Sequence, residues 1–178
     1  MAFTVVVAAA IVLVVVAGSG SSPKVPGVAA SGYTTVNKAA LGFSIQVPAT
    51  WVQDVDPTPG SVFYAHSAPL VSWVRLFRGE TPVPLAASVP SLIAGLQAQG
   101  AQNIVQMSTQ LDGVPAVRLD YEQADGPVPG ALLEHTSYQL VTSGSIHYGL
   151  TLETTQPAQQ SAVLNAIAAS FRLTSASG

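Results

Sequence analysis

The sequence contains no cysteine, and it has few charged residues for a chain of 178 residues. The lack of cysteine excludes disulfide bonds, a thiolate nucleophile, a cysteine-ligated metal and a lipid attached to cysteine. Charged residues make up 8% of the chain, whereas about 25% is usual in globular proteins. Hydrophobic residues make up 48%, which is enough for a buried core. We therefore expect one folded domain that is stabilised by its core alone.

Basic side chains are particularly scarce and are scattered along the sequence. Six Lys and Arg stand against nine Asp and Glu, which gives a net charge of −3. A nucleic-acid-binding protein gathers Lys and Arg on one face, where they contact phosphates. We therefore expect no nucleic-acid partner.

The common catalytic and nucleotide-binding motifs are also absent from the sequence. It has no GxSxG, no HExxH, no P-loop and no GxGxxG after a strand. We therefore predict a protein that is not an enzyme, with no catalytic, cofactor-binding or metal-binding residue and no cofactor. The sequence does not identify its ligand-binding residues.

The N-terminal segment is hydrophobic and uncharged. The run from Phe3 to Ala17 is apolar except for Thr4. It has the length of a signal-peptide core, about 7–15 residues, and is shorter than the roughly 20 residues of a membrane-spanning helix. No Lys or Arg precedes it, so either basic residues are encoded upstream or the segment ends a longer transmembrane helix. We expect residues 1–18 to be a signal peptide or membrane anchor.

This segment also sets the expected location and the domain boundaries. Residues 19–32 are rich in Gly, Ser, Pro and Ala without periodicity, which predicts a flexible linker. Residues 33–174 then form a single globular domain. We expect the protein to act outside the cytoplasmic membrane, either secreted or anchored by its N-terminal segment, which is its only contact with the membrane.

The domain begins with strand patterns. Phe43, Ile45 and Val47 alternate with polar residues, which is typical of a half-buried strand. The run from Val71 to Arg78 is different, because it has apolar residues on both faces. This pattern predicts a strand that is covered on both sides.

Two helices are predicted from apolar residues at helical spacing. The first spans Leu85 to Gln99, with Pro90 in its first turn behind Ser88 as the N-terminal cap. The second spans Ala158 to Phe171 and follows a proline.

Two hairpins are predicted between these helices. The first turns at Asp112-Gly113. The second turns through residues 143–145, and a three-residue turn keeps its apolar residues on one face. This register places His135 opposite Glu153 and on the same face as His147.

The polar residues of these strands are the candidates for chemistry. A zinc site needs three or four ligands, and only Glu153 could join His135 and His147, so we interpret His135 and Glu153 as a polar cross-strand pair. The third histidine, His66, lies in another strand. The carboxylates Asp120 and Glu122 share a strand face with Arg118, which indicates a solvated salt-bridging face. Trp73 and Phe77 are interpreted as core residues.

Two segments carry a resemblance to a known family. GFSIQVPATW at residues 42–51 and ASFRL at residues 169–173, together with the order of the elements, resemble the PsbP-like family and most closely its LpqN-type extracytoplasmic lipoproteins of actinobacteria. The resemblance implies an α+β fold in which an antiparallel β-sheet is sandwiched between helices (α/β/α). Those lipoproteins carry a lipid on a cysteine that this chain lacks.

The resemblance also implies a class of function. It favours a non-enzymatic binding or accessory protein of the cell envelope that recognises a protein or an apolar envelope ligand such as a lipid. Two alternatives stay open at this point. One is an exported hydrolase that uses His135 or His147 as a base, and the other is a structural domain at the end of a longer membrane protein.

Overall fold

The structure, a computed structural model, describes residues 32–56, 60–124, 130–142 and 145–174. The predicted signal peptide or anchor, residues 1–18, lies outside this part of the chain, as does the linker up to residue 31. The strands are β1 (Tyr33–Lys38), β2 (Phe43–Pro48), β3 (Val52–Gln53), β4 (Ser61–His66), β5 (Ser72–Glu80), β6 (Gln102–Leu111), β7 (Val114–Gln123), β8 (Leu133–Val141), β9 (Ile146–Thr154) and β10 (Arg172–Leu173). The α-helices are α1 (Leu85–Ala98) and α2 (Pro157–Ser170), and Ala39–Leu41 form a short 3-10 helix.

Seven strands form one antiparallel sheet in the order β3-β4-β5-β9-β8-β7-β6. Within it, β8 and β9 pair His135 with Glu153 and Val141 with His147, which confirms the predicted register. Because side chains alternate between the faces of a sheet, this register decides which residues lie together on each face.

One face of the large sheet carries the main core. Its apolar side chains pack against α2 and against a second sheet of three strands, in the order β1-β2-β10. Phe43 of β2 is fully buried and stacks on Phe171, with ring centroids 6.1 Å apart. The predicted alternation of β2 is confirmed, since Phe43, Ile45 and Val47 are all buried.

The opposite face of the large sheet is covered by α1. Leu92, Ile93 and Leu96 of this helix pack against Leu119 and Tyr121 of β7. Five consecutive residues of the central strand β5, Ser72 to Leu76, are buried, so both of its faces are covered there, as its two-faced apolar pattern predicts. An antiparallel sheet with a helix on each face confirms the predicted α/β/α fold class.

α1 begins at the predicted residue, but the predicted places of Pro90 and Ser88 are wrong. The helix begins at Leu85, so Pro90 lies inside it and not in its first turn. Ser88 does not cap the helix, and its hydroxyl donates a hydrogen bond to the carbonyl of Leu85 at 2.9 Å. The side chain of Val89 holds this part of the helix in place, because it is 2% exposed. Tertiary packing thus outweighs the local preference of proline for the first turn.

The turn between β6 and β7 is the predicted Asp112-Gly113 turn. Both residues have positive φ, 51° and 76°, which is the signature of a type I′ hairpin. No helix in the described part of the chain combines the length and hydrophobicity needed to cross a membrane.

Candidate functional site

A cluster of charged side chains lies buried on the face of the large sheet that α1 covers. Arg75 of β5 is at its centre and contacts two carboxylates. Its Nη1 donates a hydrogen bond to Oε1 of Glu153 at 2.9 Å, and its Nε lies 3.1 Å from Oδ2 of Asp56. The same Oδ2 accepts a hydrogen bond from the Ser61 hydroxyl at 2.7 Å. One guanidinium therefore bridges two carboxylates.

His135 joins this network from β8. Its Nδ1 lies 3.5 Å from Oε1 of Glu153, so the predicted cross-strand pair is present. Its ring stacks on Tyr121, with centroids 4.6 Å apart and planes 8° apart. His135 is 2% exposed, so its ring is enclosed by the protein.

Tyr64 borders the network on the neighbouring strand β4. Burial raises the pKa of its phenol to about 12, and the negative charges of Asp56 and Glu153 act in the same direction. The positive charge of Arg75 opposes them. The phenol therefore stays protonated at neutral pH and is not a base.

The second histidine of this face, His147, belongs to a neutral hydrogen-bond chain. Its Nε2 lies 2.7 Å from Oε1 of Gln139, whose Nε2 donates to the Ser137 hydroxyl at 2.7 Å. Ser137 is in turn 3.0 Å from the Thr151 hydroxyl. Burial lowers the pKa of His147 below its ordinary value. The chain links the side chains of β8 and β9 across the sheet.

The predicted salt-bridging face lies on the other side of the sheet. Nε of Arg118 donates to Oδ1 of Asp120 at 2.8 Å, and the Thr136 hydroxyl donates to the same oxygen at 2.8 Å. Glu122 is bonded to Asn103 instead, at 2.8 Å. Both ion-pair partners are about one-third exposed. The interpretation of Arg118 and Asp120 as a solvated ion pair is therefore confirmed.

Among the cavities in the described part of the chain, two are notable, and no histidine lines either of these two. The first, about 350 Å³, lies beside β3 and β4. It is lined by Lys38, Gln53, Asp54, Val55, Val62, Phe63 and Tyr64. The second, about 130 Å³, is a groove between α2 and the sheet that includes Arg118, Glu134 and Thr136.

The structure brings some candidates together and separates others. His135 and His147 share one face, as predicted, but they join different networks, with Glu153 and with Gln139. His66 lies on β4, where its Nδ1 is 2.9 Å from the backbone carbonyl of Ser67. In the described residues, no three potential metal ligands lie close enough together to hold an ion.

Sequence reasoning missed Arg75 and Asp56 as members of the buried network. Asp56 belongs to a segment whose sequence predicts only a turn. Arg75 was recognisable, because it lies between Trp73 and Phe77 on a strand with two buried faces. A charged residue in such a position needs a buried partner, and the partner can be named only after the strand order is known.

The fold places the chain among α+β proteins in which an antiparallel sheet lies between helices. No protein-family model matches the sequence, and no curated protein matches it either. Solved structures do match. Cyanobacterial PsbP (CyanoP) from Synechocystis is 16% identical with a TM-score of 0.59, and the match covers 87% of this chain and 98% of that one.

One further structure has the same architecture, and a weaker match is also found. The Ran-binding protein Mog1p of Saccharomyces cerevisiae is 7% identical with a TM-score of 0.53, over 79% of this chain and 95% of that one. LpqN of Mycobacterium tuberculosis, described as involved in cell envelope biogenesis, is 13% identical with a TM-score of 0.49, over 80% and 90%. The chain thus has the PsbP-like fold, and these values give no special closeness to LpqN.

Proposed function

We propose that this protein is a non-enzymatic binding or accessory protein of the cell envelope that recognises a protein partner. In this proposal, residues 1–18 export or anchor the chain, residues 19–32 act as a spacer, and residues 33–174 form the binding domain. An apolar envelope ligand such as a lipid is the other candidate for the bound molecule.

The observation that carries the proposal is the placement of the ionisable groups. Glu153 accepts a hydrogen bond from Arg75 and lies 3.5 Å from His135, and His147 lies 2.7 Å from Gln139. A general base must instead reach the proton that it removes, directly or through one water. These side chains therefore act as internal supports of the sheet, and the geometry does not favour the histidine-dependent hydrolase.

The fold supports the same proposal. Mog1p, which has this architecture, is a Ran-binding protein, so the architecture can serve protein recognition. The surface of the present chain suits such a role, because charged residues are few and apolar side chains are exposed beside the larger cavity. Val55 is 86% exposed and Val52 is 44% exposed.

The surface beside β3 is therefore the place to test for recognition. We expect proteins captured from envelope extracts by the tagged full-length chain to be lost when Val55 is changed to Asp. Val83→Asp is the matched control, because Val83 is also exposed, at 41%, but lies outside this cavity. Quantitative mass spectrometry would compare the amounts of protein captured by the wild type, by Val55→Asp and by Val83→Asp.

Several outcomes would count against the proposal. Capture of the same proteins by wild type and both variants would exclude recognition at this surface. The absence of any specific protein, together with no binding to vesicles of envelope lipids, would overturn the proposed function. Esterase or peptidase activity that disappears in the His135→Ala or His147→Ala variant would favour the hydrolase instead.

A further inference from the structure

The two edges of the large sheet are protected very differently. The edge strand β3 has two residues, whereas the opposite edge strand β6 has ten. Proteins usually protect a long edge with Lys, Pro, a bulge or an inward-pointing charge. The sequence of β6, QNIVQMSTQL, contains no charged residue and no proline. Its single irregularity lies between Gln102 and Val105, so the register from Val105 to Leu111 is regular.

The turn at Asp112-Gly113 fixes which backbone groups of β6 point outward. In a two-residue hairpin, the residues that flank the turn, Leu111 and Val114, exchange hydrogen bonds, and bonded and non-bonded pairs then alternate. Gln110 therefore forms a non-bonded pair with Pro115, which agrees with the missing N–H of proline.

By the same alternation, three residues of β6 direct both N–H and C=O away from β7. These residues are Gln106, Ser108 and Gln110. In the described part of the chain, β7 is the only strand that pairs with β6. The edge thus offers a row of backbone donors and acceptors at regular spacing.

We propose that β6 pairs with β6 of a second copy of this chain, antiparallel and about a two-fold axis at Ser108. In this register Gln106 lies opposite Gln110 of the copy, and Ser108 lies opposite itself. All three outward-facing residues then form hydrogen-bonded pairs. The two sheets become one continuous sheet across the dimer.

The side chains of β6 fit this register. On the face that carries the main core, Met107 lies opposite Thr109 of the copy and Val105 lies opposite Leu111. On the other face, glutamine lies opposite glutamine and serine opposite serine. An isologous contact needs a surface that is complementary to itself. β6 meets this requirement because apolar residues face apolar or methyl-bearing ones, and no charge lies opposite its own copy.

The pairing also closes on itself. The two-fold contact uses β6 of both copies, and the edges that remain on the large sheet are the two short β3 strands. A strand of two residues gives a third copy too little backbone to pair with. The arrangement is therefore a dimer and not a growing fibre.

A single cysteine tests this arrangement in the full chain, because the natural sequence contains none. Ser108→Cys places two thiols opposite each other at the axis, where a short thiol-to-thiol cross-linker joins them. Gln102→Cys is the matched control on the same strand, since the proposed register separates its two copies by about 40 Å. We expect Ser108→Cys to give at least about tenfold more cross-linked dimer at limiting reagent.

A second variant tests the hydrogen bonds of the edge. Gln106→Pro, added to Ser108→Cys, removes an outward N–H while leaving the ladder with β7 intact. We expect it to reduce the cross-linked dimer severalfold with an unchanged circular dichroism spectrum. Equal cross-linking of Ser108→Cys and Gln102→Cys, no dimer in either, or full cross-linking with Gln106→Pro would each overturn the proposal.

Discussion

Arg75 and Glu153 form a buried ion pair across adjacent strands, with Nη1 of the guanidinium 2.9 Å from Oε1 of the carboxylate. Their side chains are 8% and 2% exposed. Asp56 shares the same guanidinium, so three charges on distant parts of the sequence depend on one another. Breaking such a network is expensive, because it leaves a charge buried without its partner.

Replacing Arg75 by Met should therefore destabilise the protein strongly. The variant keeps the aliphatic volume but leaves Glu153 and Asp56 without their cation, and loss of one partner of a buried pair costs about 3–5 kcal/mol. Urea denaturation followed by circular dichroism measures the change in the free energy of unfolding.

The exposed pair of Arg118 and Asp120 supplies the control for this experiment. Because both side chains are partly solvated, Arg118→Met should cost at most about 1 kcal/mol. Equal losses for the two variants would show that burial of the Arg75 network has no special energetic role.

The lowered pKa of His147 predicts a loss of stability in mild acid. Burial lowers this pKa below the ordinary value of 6.5, so the unfolded chain binds the proton more readily than the folded protein. The contribution of His147 is complete above pH 6.5 and is lost as the pH falls through the folded pKa. The wild-type protein should thus have a larger drop in urea midpoint between pH 7.5 and pH 5 than His147→Asn.

The titration of His147 can also be followed directly. Its ring Cε1 proton shift in an NMR pH series should give a pKa below 6.5, and His147→Asn identifies the resonance. A midpoint above this value would contradict the inferred burial.

The raised pKa of Tyr64 predicts a loss of stability at high pH. Burial raises its pKa to about 12, with Asp56 and Glu153 adding to the shift and Arg75 opposing it. The pKa of Tyr64 is thus higher in the folded protein than in the unfolded chain. Its contribution to stability is complete below pH 10 and is lost as the pH rises through about 12. Tyr64→Phe should remove a tyrosine that ionises at about pH 12 in the ultraviolet titration and should flatten the alkaline loss of stability.

Gly42 predicts a steric effect at the start of β2. It has φ of 77°, and a Cβ atom there would lie 2.7 Å from the Tyr148 hydroxyl oxygen. That hydroxyl donates a hydrogen bond to the carbonyl of Leu41 at 2.8 Å. Gly42→Ala should therefore combine backbone strain with the loss of this bond and cost about 2–4 kcal/mol in urea denaturation.

Gly113 separates these two contributions. It has nearly the same φ, 76°, but a Cβ atom there would meet no atom within 4 Å. Gly113→Ala should cost about 1 kcal/mol through backbone strain alone. If the two substitutions cost the same, the contact with Tyr148 does not matter.

The sequence predicts most of the large sheet because its signals there are local. Alternating residues and the Asp112-Gly113 turn define the first of the two hairpins, and the preference for a three-residue turn leads to the confirmed pairing of His135 with Glu153. The opening motif at residues 42–51 also has a physical reason, since Gly42 adopts a positive φ against Tyr148.

Long-range contacts are what the sequence does not predict. The pairing of β10 with β2, and the contact of Arg75 with Asp56, join segments whose spacing carries no signal. Pro90 lies within α1 because packing of Val89 determines that helix, which a local rule for proline cannot anticipate. The cavity beside β3 was likewise not predicted, because its lining comes from three separate strands and loops.

The stacking of Phe43 on Phe171 has a consequence for how the protein is made. Phe43 is among the first core residues to leave the ribosome, whereas α2 and β10 follow only after nearly all of the other strands. Until Leu173 has emerged, β2 can pair with β1 and Phe43 can contact Phe63, but its contacts with Phe171 and β10 are missing. This part of the core can therefore close only after α2 and β10 have been synthesised.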